Sequence, residues 1–400
     1  MATPLPTYGF DYSLVRNPDI DTAYNALITY VIPGSPAAQA GLERGDWIMK
    51  VDTSYISKKY ETYLLQGTKA VELTLGEWKE VEIEDEEDGN EGGDGEDEGP
   101  TMEYRVVPID EPVEMPAARI VEDNPVHKYE IIESPVKNIK VGYLMYNSFT
   151  AGTKAEPEKY NNELRSVSQK FKEAGVQAVI LDLRYNEGGS MDCVQLLGTI
   201  LTSAERLGEP MAYLEYNDKN TDKDATILFG TDREINLNLH SLIAITSGTT
   251  MGAPEMLIRS LFLEDTYPIA TVGSSTKGQN VATEQFINEE FLWSVNPVVC
   301  TVYNSQHDTY GAISPATDLK VSETTIDGST NYSEFLPFGT FDKDGKSERL
   351  LKIAIGVLDG TYPPKDDETP EESTTQTRFK VEKSVSSPAS RRFSSKGLRL

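Results

Sequence analysis

Three hydroxyls crowd the end of an apolar run: Ser247, Thr249 and Thr250 follow Leu242-Ile243-Ala244-Ile245 and precede Met251-Gly252-Ala253-Pro254-Glu255. A lysine, Lys277, follows the next apolar stretch. A hydroxyl and a lysine can together carry out acyl transfer. In a largely apolar pocket the ammonium form is disfavoured, so the amine takes up the hydroxyl proton and the oxygen attacks an amide carbonyl. Two backbone N–H groups then hold the oxyanion. The same hydroxyls have a commoner use, hydrogen-bonding a loop backbone, and Lys277 alone reads first as a solvated surface lysine. Other chemistries are poorly supplied. His127, His240 and His307 lie far apart without ligand spacing, which argues against zinc. No G-x-S-x-G turn accompanies them, and His240 reads as a surface or strand-edge residue. Cys193 and Cys300 are too few for a disulfide framework and read as buried small hydrophobes.

The elements that must position these groups fall into two patterns. Residues 8–14, 27–32, 47–51, 70–75 and 104–108 read as strands, with a short helical turn at 37–42 and a helical stretch near 58–66. This is a small β-rich unit, residues 1–112. From residue 113 the pattern becomes strand, helix, strand, helix. Apolar strands at 141–146, 178–184, 241–247 and 268–273 alternate with helices at 157–174, 192–201 and 254–263, which implies parallel pairing in an α/β core over 113–362. The fold class is multi-domain α/β. Residues 363–400 are polar, rich in Pro and Ser, acidic and then basic, and are expected to be disordered.

The chain has 400 residues, 38% of them hydrophobic and 26% charged, and a formal net charge of −28. Much of that charge lies in one run, Glu80 to Glu98, read as a solvated hairpin loop and not as a calcium site. The acidic balance argues against nucleic acid as a partner. No run is long and apolar enough to span a membrane. The first residues carry no signal peptide, so the sequence reads either as cytosolic or as a trimmed form of an exported protein.

Several motifs resemble a known family. PGSPAAQAGLERGDWIMKVD, residues 33–52, is similar to the PDZ segment of bacterial envelope peptidases. LDLRYNEGG, residues 181–189, resembles the L-D-L-R-x-N-x-G-G element of tail-specific (carboxyl-terminal processing) serine peptidases, and GAISPATDL, residues 311–319, resembles their late G-x-x-P-x-x-D segment. The resemblance covers roughly residues 8–355. It implies a β-rich PDZ-like domain followed by an α/β core with a spiral sheet. It also implies cleavage near unstructured C-termini by a Ser–Lys dyad without metal or cofactor, and a periplasmic or cell-envelope location.

Carried over residue by residue, the dyad is missing. In the family the nucleophile lies three residues before a glutamate that matches Glu255, which is Gly252 here. The family G-x-x-T-x-G-K matches Gly273-Ser274-Ser275-Thr276-Lys277-Gly278-Gln279 and puts Gln279 at the base position; an amide has no usable pKa for that task. Lys277, with Thr250 or Ser247, is the alternative pair. The oxyanion donors would be the N–H groups of Gly189 and Ala253. Tyr8-Gly9-Phe10-Asp11-Tyr12 resembles the carboxylate-binding loop of a PDZ groove, with the N–H groups of Gly9 and Phe10 capping a C-terminal carboxylate and the following strand pairing with the peptide. Tyr60, Tyr63 and Leu64 would line its side-chain pocket or pack the core. The expected partners are polypeptide C-termini or unstructured protein segments. Three readings follow: a non-catalytic peptide binder, an active peptidase with displaced groups, and a cleft emptied at Gly252 and Gln279 to admit a ligand.

Overall fold

A computed structural model describes residues 5–83, 101–291, 293–321, 329–331, 335–342, 345–363, 378–387 and 396–400. The chain divides into two compact units. The first comprises residues 1–122, 324–337 and 370–389, and the second residues 123–323, 338–369 and 390–400.

The first unit is built on an antiparallel sheet. Phe10–Arg16 pairs with Tyr24–Val31, which pairs with Trp47–Val51, which pairs with Val71–Ile83. Val71–Ile83 also pairs with Thr101–Pro108 through a register running from Gly76↔Pro108 to Ile83↔Thr101. These two are the arms of the expected hairpin; the acidic run between them lies outside the described residues from residue 84 onward. Val113–Met115 pairs with Val71–Leu73, so this unit extends about ten residues past the expected boundary at 112. The helix Pro36–Gln39 starts with Ser35, whose side chain accepts from the Ala38 N–H, and with proline in its first turn, two features that favour a helix start. Gly45, at φ 105°, makes the tight turn before Trp47 where a residue with a Cβ would be strained. The core gathers Tyr8, Phe10, Tyr12, Leu14, Ile28 and Ile48 from the strands' inward faces.

The second unit has a sheet in the order Ile269–Gly273, Leu242–Thr246, Ala178–Asp182, Lys140–Tyr146, Val126–Glu133. The first four strands are parallel, as their continuous apolar character predicts; Val126–Glu133 joins antiparallel. Helices Lys159–Ala174, Met191–Leu201, Ala253–Leu261 and Arg349–Asp359 bury apolar faces. Lys159–Ala174 ends at Gly175 in a left-handed C-cap, φ 74°. A second sheet runs Gly188–Ser190, Gly397–Arg399, Val281–Thr283, Val298–Tyr303, Pro210–Tyr216, Ala225–Leu228. Cys193 and Cys300 are both free and buried, and burial pushes their thiols up to about 12 and about 11.

The expectation of a disordered span over 363–400 is corrected in two places. Arg378–Val385 pairs antiparallel with Phe10–Arg16, and Gly397–Arg399 is a strand of the second sheet. Neither is legible in its own composition because its order comes from an open strand edge elsewhere in the chain.

His127 is half-buried against Phe338, with ring centroids 5.8 Å apart. Desolvation first, and the charge of Lys128 second, lower its pKa from 6.5 to about 3. Its contribution is therefore fully present above the unfolded value of 6.5. Between there and about 3 the unfolded chain binds a proton that the folded chain does not, so stability falls as the pH falls through this window. Denaturant midpoints taken at about pH 7.5 and about pH 5 should drop more for the wild type than for His127→Gln; equal drops would contradict this assignment.

Candidate functional site

The site of the second unit is assembled at the ends of its parallel strands. After Ala178–Asp182 the chain turns through Leu183-Arg184-Tyr185-Asn186 into Gly188–Ser190. Arg184 is 1% exposed on its side chain and reaches back to Asp182, Nη2 to Oδ2 at 2.7 Å, and across to Glu348, Nη1 to Oε1 at 2.8 Å. The Tyr143 hydroxyl donates to the same Asp182 at 2.8 Å. Glu348 in turn caps the helix Arg349–Asp359 by accepting from the Leu351 N–H. Burial raises the Asp182 pKa and the Arg184 guanidinium opposes that shift. The Asp and Arg of the L-D-L-R element are thus a buried brace between strand and helix. Asn186 continues the brace: its amide donates to the Tyr146 carbonyl at 2.8 Å, its oxygen accepts from Gly188 N–H at 3.0 Å, and its carbonyl accepts from Met251 N–H at 3.2 Å. Gly188 and Gly189 have φ 128° and 140°, and a Cβ on either would run into backbone atoms.

After Leu242–Thr246 the chain turns sharply into the helix Ala253–Leu261. Gly252 sits at the turn with φ 71° and ψ −101°. This is a sharp strand-to-helix elbow, in a backbone conformation that glycine adopts freely, and its apex carries no side chain. Glu255, fully buried, organises what surrounds it. One carboxylate oxygen accepts from the Gly252 N–H at 2.8 Å and the Gln279 N–H at 2.9 Å. The other accepts from the Thr276 hydroxyl and from the Gly278 N–H. The Thr276 hydroxyl also accepts from Ile313 N–H at 2.9 Å, so the 311–319 segment braces the same loop.

Gly252 and Gln279 are brought face to face. A Cβ built on Gly252 would lie 2.7 Å from Gln279 Oε1. That oxygen is buried and receives no hydrogen bond among the described residues. Lys277 is exposed, and its backbone N–H donates to the Thr250 carbonyl at 3.0 Å. The neighbouring hydroxyls are engaged with backbone: Ser247 and Thr249 donate to the Arg184 carbonyl, and Thr250 donates to the Leu183 carbonyl at 2.9 Å. Gly189 lies in Gly188–Ser190 and Ala253 directly follows Gly252 at the start of the helix. Sequence reasoning missed Gly397–Arg399, which lies parallel to Gly188–Ser190 on one side and to Val281–Thr283 on the other.

In the first unit, both sides of Phe10–Arg16 are paired, by Tyr24–Val31 and by Arg378–Val385. The N–H of Gly9 donates to Thr7 Oγ1 at 3.0 Å. Phe10 is paired opposite Val31, and Tyr8 and Tyr12 are buried in the core. Asp11, 1% exposed, accepts from the Ser387 N–H. Glu61, at the start of the helix Glu61–Leu65, accepts from Lys383 Nζ at 2.6 Å, and the Ser13 and Ser384 hydroxyls meet at 2.8 Å. Tyr60 and Tyr63 are exposed, whereas Leu64 packs against the core. A cavity of about 300 Å³ beside them is lined by Tyr8, Asp52, Tyr63, Leu64 and Gln66. Removing the lysine from the half-exposed pair leaves a buried carboxylate under-satisfied, so Lys383→Ala should destabilise this unit by about 1–3 kcal/mol in denaturant unfolding; no change would mean that Glu61 does not hold the strand.

Comparison with known proteins follows the same division. Residues 140–295 match the family model described as peptidase family S41, and residues 27–74 match that of a PDZ domain. Among solved structures, a Bacteroides fragilis NCTC 9343 protein described as an S41 protease is 39% identical, with 90% of this chain and 84% of that one covered and a TM-score of 0.75. The photosystem II D1 C-terminal processing protease is 16% identical over 80% of this chain and 74% of its own, with a TM-score of 0.41, too distant in shape to inform function. A search of curated proteins found no match.

Proposed function

We propose, since the chain belongs to peptidase family S41, that it binds unstructured polypeptide in the family cleft without cutting it. The observation that carries this reading is the pairing of Gly252 with Gln279 at the elbow. A hydrogen cannot attack a carbonyl, and a carboxamide cannot take up the proton. The proposed oxyanion donors, the N–H groups of Gly189 and Ala253, are backbone groups that do not depend on the missing side chains, so a polypeptide carbonyl can still be held there.

The alternative, an active peptidase using Thr250 or Ser247 with Lys277, has less support. The hydroxyls are engaged with the carbonyls of residues 183 and 184, and Lys277 is exposed. Recognition of polypeptide C-termini by Tyr8–Tyr12 belongs to the same proposal and requires Arg378–Val385 to leave the strand edge.

The test is incubation with reduced, alkylated casein, followed by anisotropy for binding and mass spectrometry for new termini. Saturable binding with the casein recovered intact is expected. New termini that accumulate with time would overturn the non-catalytic reading.

A further inference from the structure

The strand Gly397–Arg399 does not merely border the elbow. A Cβ on Gly252 would lie 2.6 Å from the carbonyl carbon of Gly397 and 2.7 Å from its Cα. The Gly397–Leu398 peptide unit therefore stands where an attacking side chain at position 252 would meet its target. The hydrogen bonding agrees. Gly397 N–H donates to the Glu187 carbonyl at 2.7 Å, and the parallel register is Gly188↔Gly397 and Gly189↔Leu398. In a parallel ladder a residue donates to the amide unit before its partner and accepts from the one after. The Gly397 carbonyl oxygen is thus opposite the Gly189 N–H, one of the two oxyanion donors.

The other side is equally specific. Val281–Thr283 pairs through Ala282↔Leu398 and Thr283↔Arg399, the Thr283 hydroxyl donates to the Leu398 carbonyl at 3.1 Å, and Leu400 N–H donates to the Thr283 carbonyl at 3.0 Å. Leu398 is 1% exposed and belongs to the main core cluster of the second unit. Gly397 has φ 73°, and a Cβ on it would lie 2.5 Å from Gln279 Oε1.

We propose that the cleft is a binding site for an extended Gly–aliphatic strand, and that the chain's own residues Gly397–Arg399 occupy it as a built-in mimic of a bound substrate. This deepens the polypeptide-binding reading and rests on it. Two residues set the specificity: Gln279 admits only glycine at the first position of the strand, and Gly252 leaves the room its peptide unit needs. Any side chain at 252 competes with the strand for the same space. A polypeptide supplied from outside binds only to the fraction of molecules whose own strand has left.

The experiment compares the 400-residue chain with its Leu398→Asp variant, which places a carboxylate in the apolar pocket, and with Gly397→Val, which drives a side chain into Gln279. Circular dichroism checks the fold of each. A fluorescein-labelled peptide KGLRL is titrated into all three. Both variants are expected to bind it at least about tenfold more tightly than the wild type, in proportion to the cleft they vacate. Adding Gly252→Val to either variant should abolish the gain, and the peptide KGDRL, with Asp in place of the leucine that follows glycine, should not bind. Folded variants that bind the peptide no better than the wild type would overturn the inference while leaving the non-catalytic reading intact. Variants that bind the peptide more tightly and also hydrolyse casein would leave this inference standing but overturn the non-catalytic reading.

Discussion

Gly252→Ser combined with Gln279→Lys should produce a protein that cuts an unstructured fluorogenic peptide, and neither change alone should do so. Loss of a nucleophile–base unit costs on the order of a million-fold in rate, and its members act as one unit, so restoring a single member recovers nothing measurable. The serine alone has no base, because Gln279 cannot accept its proton. The lysine alone has nothing to activate. Together they face each other across the gap now spanned by the Gln279 oxygen and the missing Cβ. A gain of at least about a hundredfold over background hydrolysis is expected, at the low end of what a positioned acid–base group contributes. The serine must also displace the Gly397 peptide unit, so adding Leu398→Asp should raise the rate further. An active single variant would show that a base or a nucleophile already exists in the cleft.

Arg184→Met should be the most damaging change to the fold. The guanidinium is 1% exposed and joins Asp182 and Glu348, both buried, at 2.7 and 2.8 Å. Methionine leaves two buried carboxylates without the guanidinium that joins them. Breaking a buried pair by removing one partner costs about 3–5 kcal/mol. The loss should show in the denaturant midpoint of the second unit, and acidification should partly relieve it, because a protonated Asp182 no longer carries an uncompensated charge. A loss below about 1 kcal/mol would mean that water enters and solvates the network.

The parallel strands were legible because burial on both faces leaves continuous apolar runs, as in Ala178–Asp182 and Leu242–Thr246. The Glu255 register pointed to Gly252 and Gln279, and the structure places these two residues beside each other. The role of Glu255 as the hub that ties the elbow to Thr276, Gly278 and Gln279 was not legible, because those are contacts to backbone and loop atoms that no spacing encodes. The Asp182–Arg184–Glu348 brace was half visible in L-D-L-R, whereas its third member lies 164 residues on from Arg184. The strand Gly397–Arg399 was hidden altogether. Three residues are too few to show a period, and surrounding composition rich in Ser and Arg reads as disorder. Its stability comes from two open edges and one buried leucine. Arg378–Val385 was hidden because four of its eight residues are charged and it follows an acidic, polar run that reads as disorder, and it takes the strand edge that the Tyr8–Tyr12 loop was expected to offer to a peptide.

Labelling with a fluorophosphonate, followed by peptide mapping, tests most directly whether the cleft holds an activated hydroxyl. The account predicts no adduct on Ser247, Thr249 or Thr250 in the wild type, and a single adduct at position 252 in the Gly252→Ser, Gln279→Lys protein. Stoichiometric modification of any of those three hydroxyls in the wild type would contradict it.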